Sequence, residues 1–292
     1  MGLPAFELLA PGSVEEASRL LAGEGAAILG GGTAIVPLLH LRVFLPSRLV
    51  SLHRLPALAE ISPADGGGLS IGAMATLRAV ETHPLVRARY LLLAETLEQV
   101  ANVRVRGSAT LGGNLAHGDY RLDPPAALIA LDARLRLGSA RGTRALPLKE
   151  FFLGFFETAK RADEILLGVD LPAPAARASS HYLKFTTHAS ADWSCVGVAA
   201  QLRWDAAGRC EGGRVILTAA AAKPLEVEGV EEALRGTAVS EAAARKIGEL
   251  AAAQLDPLGD AAGSAWYKRE ITPALVRRAL LEAARRAPGR AG

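Results

Sequence analysis

Hydrophobic positions along the chain recur with two periods. Val14, Ala17 and Leu21 return at helical spacing behind Ser13 and Glu16, a capping-box pair that satisfies free amides of a first turn, so residues 13–22 are predicted to form a helix. Ala26 to Leu29 reads as a strand running straight into Gly30-Gly31-Gly32-Thr33. A short apolar segment follows from Ala34 to Leu41, with Pro37 near its start, where proline suits a first helical turn. Leu49 to Leu52 reads as another strand. From Gly66 the period changes to two: Gly68 to Ala73 alternates like a strand, and Thr76 then caps a helix through Val80. The pattern next predicts a longer helix over about Ala88 to Ala101, a second glycine-rich turn from Thr110 to Asn114, an apolar helix from Pro124 to Leu131, and a strand near Arg134 to Leu137.

Residues 173–180 are small, proline-bearing and aperiodic, the texture of a boundary between subdomains. Beyond them, Val196 to Arg203 and Gly213 to Ala219 read as antiparallel strands joined by turn residues Asp205 to Gly208, and helices are predicted at about 240–254 and 272–286. The elements define an α+β architecture.

Composition narrows the function. A chain of 292 residues, 50% hydrophobic, buries one large core or two moderate ones, so two or three subdomains are expected. The net charge is only +3 and the basic residues are scattered, which argues against a nucleic-acid partner. Met1 to Ala10 lacks signal-peptide character and no apolar run reaches the length of a membrane span, so a cytoplasmic protein is expected. Cys195 and Cys210 are too few for a disulfide framework or a structural zinc site, and an all-cysteine iron–sulfur cluster needs four ligands. The six histidines show no metal-like clustering and no Ser-His-Asp order is evident, so no metal and no catalytic side chain is expected.

The two glycine-rich turns are the sharpest features, because glycine lets successive amides converge on an anion. Lying about eighty residues apart, they fit a pyrophosphate gripped from both sides, although either alone is as readily a tight structural turn. Neither matches GxGxxG, no acidic residue stands about 20 positions beyond Gly30 as a Rossmann fold requires, and no Walker lysine is present.

Residues 28–37, Ile-Leu-Gly-Gly-Gly-Thr-Ala-Ile-Val-Pro, resemble the first FAD motif of the medium subunits of the molybdenum hydroxylases, the group containing carbon monoxide dehydrogenase and xanthine dehydrogenase; that motif is usually written AGGTSLLP, and Gly30 replaces its alanine. Residues 104–117, Arg-Val-Arg-Gly-Ser-Ala-Thr-Leu-Gly-Gly-Asn-Leu-Ala-His, resemble the second motif, RNRATIGGNIAHA. Further stretches follow in family order: Phe6 to Ala17, Leu69 to Thr76, Asp163 to Pro172, Lys184-Phe185 with Asp192 to Ala199, and Gly263 to Lys268. The likeness covers about residues 5–285. After His117 the family usually shows Ala-Asp-Pro, where this chain has Gly118-Asp119-Tyr120-Arg121.

The resemblance implies a vanillyl-alcohol-oxidase-type (PCMH-type) FAD-binding fold, with FAD-binding subdomains at 1–55 and 56–175 and a C-terminal domain at 176–292 built on a three-stranded antiparallel sheet with helices. It implies that Gly30, Gly31, Gly32, Thr33 and Ala34 meet the FAD pyrophosphate from the first motif, through backbone amides from Gly31 onward, and that Thr110, Gly112, Gly113 and Asn114 meet it likewise from the second. Asp123, Leu167 and Lys184 match flavin-contact positions, and Trp193 falls where a close family member covers the isoalloxazine with an aromatic ring. Against these stand plainer readings: Asp123 as a carboxylate at a helix N-terminus, Lys184 as an exposed strand lysine, and Trp193 as core packing. The function implied is an oxidoreductase subunit that takes electrons from iron–sulfur clusters on a small subunit, which a molybdopterin-binding large subunit supplies, within a dimer of heterotrimers. A stand-alone FAD oxidoreductase and a non-enzymatic nucleotide-binding module are the alternatives. The primary substrate and the electron acceptor are not legible, since other subunits choose the former and no nicotinamide motif is present.

Overall fold

The computed structural model describes residues 2–189 and 193–289. The N-terminal unit is a small parallel sheet. Its strands β1 (Glu7–Leu9), β2 (Ala26–Leu29) and β3 (Arg48–Ser51) stand in the order β1-β3-β2, with α1 (Val14–Leu21) and α2 (Ile35–His40) in the connections. Ser13 caps α1 by accepting from the Glu16 amide, and the Glu16 carboxylate accepts from the Gly12 amide at 2.7 Å. Ala17 and Leu21 of α1 then pack with Val50, Leu52, Leu55 and Leu58 into a first core that Ile165 completes from the next unit.

The second unit is an antiparallel five-stranded sheet interrupted by six helices. The strands β4 (Ile61–Ala64) and β5 (Gly68–Gly72) lead to α3 (Leu77–Thr82), α4 (Pro84–Arg89), α5 (Leu91–Glu98), α6 (Val103–Ser108), α7 (Leu111–His117) and α8 (Pro124–Ala130). The chain returns through β6 (Arg134–Ser139), β7 (Gly142–Pro147), a small hairpin of β8 (Phe152–Gly154) and β9 (Glu157–Thr158), and β10 (Ile165–Leu171), giving the order β4-β5-β10-β6-β7. The single helix predicted from Ala88 to Ala101 is two helices. Tyr90, at φ −131° and ψ 51°, separates α4 from α5, and its buried ring places the hydroxyl 2.8 Å from the Pro172 carbonyl.

The C-terminal unit carries β11 (Ala178–Phe185), β12 (Val196–Trp204), β13 (Cys210–Thr218) and β14 (Leu225–Glu226) in chain order as an antiparallel sheet, then α9 (Val230–Leu234), α10 (Glu241–Gln254) and α11 (Ala265–Arg285). The three expected long strands are thus joined by a two-residue fourth. Helix α11 begins seven residues before the predicted position 272 and runs through Pro273, with Ser264 capping it by accepting from the Tyr267 amide at 3.1 Å. An added Cβ at Gly248 of α10 would stand 2.6 Å from the Pro273 carbonyl oxygen, so the two helices touch through backbone at that point.

Candidate functional site

The first glycine turn leaves the end of β2. Gly32 has φ +77°, a conformation that disfavours any side chain. Gly31 is fixed by space instead: a Cβ there would fall 1.8 Å from the Ser108 carbonyl oxygen and 3.0 Å from the Ala109 Cα. The turn is therefore pressed against the segment that leads out of α6 into the second motif. A Cβ on Gly30 would lie 3.0 Å from the Thr110 hydroxyl oxygen and 4.0 Å from the Gly113 Cα, so the two motifs meet directly. Among the described residues, no protein acceptor takes the amides of Gly31, Gly32, Thr33 or Ala34, while the Gly32 carbonyl accepts from the Val36 amide at 3.0 Å. Four successive free donors thus lie at a partly exposed turn, the chemistry that suits an anion.

The second motif is the start of a helix, and the amides of Leu111 to Asn114 are taken by protein acceptors, whereas among the described residues no acceptor takes that of Thr110. Leu111 and Gly112 donate to the Ala75 and Ala73 carbonyls at 2.9 and 2.7 Å, and Asn114 donates to the Thr110 carbonyl at 2.9 Å. Gly113 donates to the capping hydroxyl of Thr110 at 3.2 Å. Gly112 is required by packing, since a Cβ would stand 2.5 Å from that of Ala73. What α7 offers to the turn is side-chain chemistry and room. The Asn114 carboxamide has a buried Oδ1 without a hydrogen-bond partner in the protein, and its oxygen and nitrogen exchange by a simple flip. Gly113 is exposed, and an added Cβ would meet only the Thr110 hydroxyl, at 2.8 Å. Leu167 joins this group through the backbone: it is the extra residue of a bulge in β10, and its carbonyl accepts from Ala73, whose own carbonyl holds Gly112.

Asp123 occupies the N-cap position of α8 but makes no capping bond. Its buried carboxylate instead accepts from the Tyr182 hydroxyl at 2.6 Å, the Ser194 hydroxyl, and the Lys184 ammonium at 2.9 Å. Lys184 also donates to the Gln99 carbonyl at 2.9 Å, and its side chain is only 4% exposed, which removes the reading of an exposed strand lysine. It borders a cleft of about 220 Å³ with Gln99, Ala101 and Thr186. Burial and the adjoining Asp123 carboxylate push the Tyr182 hydroxyl well above its ordinary pKa, so it stays a donor. Tyr182 and Ser194 are members that sequence reasoning missed; Tyr182 lies two residues before Lys184 on β11, where strand alternation puts both on one face.

Trp193 is 45% exposed, which excludes the core-packing reading, and the Arg121 guanidinium lies 4.8 Å from its ring centroid. Asp192, part of the resemblance, is outside the described residues. The turn group of Gly30 to Ala34, Thr110, Gly112, Gly113, Asn114 and Leu167 and the group of Asp123, Lys184 and Trp193 are connected by α7 and the loop that follows it. At seven residues α7 is ~10 Å long.

Residues 4–174 match the family described as the FAD-binding domain in molybdopterin dehydrogenase, and residues 181–283 match the carbon monoxide dehydrogenase flavoprotein C-terminal domain. The chain belongs to the FAD-binding medium subunits of the molybdenum hydroxylases: it is an oxidoreductase subunit of α+β fold, and its cofactor is FAD. Among individual proteins it is similar to the carbon monoxide dehydrogenase medium chain of Hydrogenophaga pseudoflava, with 34% identity over 95% of this chain and 96% of the relative. The crystallised carbon monoxide dehydrogenase of that organism superposes with a TM-score of 0.93 at 35% identity, over 98% of this chain and all of the other. The 6-hydroxypseudooxynicotine dehydrogenase complex subunit alpha of Paenarthrobacter nicotinovorans is 30% identical over 97% of this chain and 96% of its own length.

Proposed function

We propose that this chain is the electron-transfer subunit of a heteromeric molybdenum hydroxylase, accepting electrons from the iron–sulfur clusters of a small partner and passing them to an external acceptor. The observation that carries the reading is the meeting of the two motifs, with free amides on one side and the unsatisfied Asn114 carboxamide on the other. In this reading the amides of Gly31 to Ala34 hold the FAD pyrophosphate from one side, with Gly30 leaving room, and Thr110, Gly112, Gly113 and Asn114 bound it from the other. Asp123, Leu167, Lys184 and Trp193 belong to the flavin end, where the Asp123 carboxylate, fixed by Tyr182 and Ser194, holds the Lys184 ammonium in place. FAD supplies the redox chemistry. The protein binds and orients it, and no side chain acts as acid or base on the primary substrate.

The division into units 1–55, 56–175 and 176–292 is proposed on the same footing; three hydrophobic cores support it, with Leu58 and Ile165 joining the first and Tyr182, Ala199 and Ile216 the second from across the boundaries. A large molybdopterin-binding subunit and a dimer of heterotrimers complete the assembly, in the cytoplasm; among the described residues no helix is long and apolar enough to cross a membrane. Carbon monoxide dehydrogenase-like is the leading label, supported by the likeness to the Hydrogenophaga pseudoflava medium chain, while a relative named for 6-hydroxypseudooxynicotine leaves the substrate to the molybdenum subunit. Affinity purification of the tagged chain from its native host tests the proposal. Two further chains carrying molybdenum and iron are expected, with substrate bleaching the flavin band only when both are present; a chain that purifies alone and is reduced directly by a substrate would contradict it.

A further inference from the structure

The loop between α7 and α8 departs from the family pattern at Tyr120 and Arg121, and the structure gives each of them a partner. Tyr120 is buried. Its hydroxyl donates to Asp260 at 2.6 Å, its carbonyl accepts from the Ala219 amide at 2.8 Å, and Lys268, fully buried, donates to the same Asp260 carboxylate at 2.7 Å. The loop is thereby fastened to the C-terminal unit immediately before Arg121.

Arg121 is then held from its other side. Its Nε and Nη2 fork onto the two oxygens of buried Asp119 at 3.0 and 2.7 Å, and its own amide donates to the same carboxylate at 2.9 Å. So fixed, the guanidinium lies 5.5 Å from the Tyr120 ring centroid and 4.8 Å from that of Trp193. Trp193, 45% exposed, makes no ring–ring contact among the described residues, and the Arg121 guanidinium is the charged group that lies against its ring. A planar guanidinium already ordered by a carboxylate loses little further freedom when an indole lies against it. Because Asp119 offsets the charge, the contact acts chiefly on orientation.

We propose that Arg121 is a positioning residue for Trp193, holding the exposed indole in the orientation in which it covers the flavin. The inference rests on the proposed role of Trp193 as that cover. An exposed cation–π contact biases a population by about two- to fivefold, and the variants below read that bias.

The test uses the FAD-loaded full chain in a Trp266→Phe background. That change removes an indole that is 70% exposed and leaves Trp204, 4% exposed, as the shielded reference. Arg121→Met is expected to raise acrylamide quenching of the Trp193 emission and flavin fluorescence together, each by about two- to fivefold, with Arg121→Lys, which keeps the cation and loses the fork, falling between. Circular dichroism and flavin stoichiometry establish that each variant is folded and loaded, and Asp119→Asn, which frees the guanidinium without removing it, serves as the second route. Unchanged indole quenching in Arg121→Met and Asp119→Asn would overturn the proposal. If indole quenching rises while flavin fluorescence stays fixed both there and in Trp193→Ala, Arg121 positions Trp193 as proposed and the flavin-cover reading is what fails.

Discussion

At the first glycine turn, three adjacent residues answer different demands: Gly30 leaves room beside Thr110, Gly31 admits the Ser108 carbonyl, and Gly32 supplies a left-handed backbone. The sequence shows three glycines and cannot show which is which, because the atoms that decide are nearly eighty residues away. The same limit hid Tyr120 and Arg121, visible only as a departure from a pattern until Asp260 and Trp193 were placed against them. At Trp193 the structure also decides an energy. Truncating a core tryptophan costs about 3–5 kcal/mol, whereas an indole 45% exposed has far less to lose. Trp193→Ala is therefore expected to cost less than the core value, to brighten the bound flavin, and to raise its potential modestly, since an electron-rich cover favours the oxidised ring. Thermal melts and a spectroelectrochemical titration check this; a large loss of stability with unchanged potential would make Trp193 structural.

Helix α7 shows what an element adds. Its N-terminal turn faces the first motif, and its last residue, His117, lies beside Phe156 with ring centroids 5.0 Å apart before Gly118 ends the helix at φ +67°. Burial holds the His117 pKa below its ordinary value, although Asp119 pulls the other way. The folded protein thus resists a proton that the unfolded chain accepts below pH of about 6.5. The contribution of His117 is full above that pH and lost as the pH falls from about 6.5 towards the lower folded value. Urea unfolding midpoints between pH 7 and 5 should decline less steeply in His117→Gln than in the parent, and identical slopes would refute the assignment. Periodicity located most elements, because amphipathic faces are written locally. It missed the break at Tyr90, which a distant carbonyl at Pro172 rewards, and it started α11 seven residues late, at 272 instead of Ala265.

At the scale of the whole molecule, the order of motifs conveyed the family and its cofactor, while the joints between units were not legible. The clearest joint is the Tyr120–Asp260–Lys268 group. Burial would raise the Asp260 carboxyl, but hydrogen bonds from Lys268 and Tyr120 hold it below its ordinary pKa. Asp260→Ala strands a fully buried ammonium and should cost roughly 3–5 kcal/mol, as for other buried pairs broken on one side; a melt within about 1 kcal/mol of the parent would show that water replaces the carboxylate. The central claim is that the two glycine motifs together hold FAD, one per chain and noncovalently. Flavin content of purified Gly113→Val, read beside its circular dichroism, tests it most directly, because a side chain there enters the space between the turns and meets only the Thr110 hydroxyl. The account predicts a folded protein without flavin, from a parent that releases its yellow cofactor on acid precipitation; a Gly113→Val protein with a full complement of FAD would contradict it.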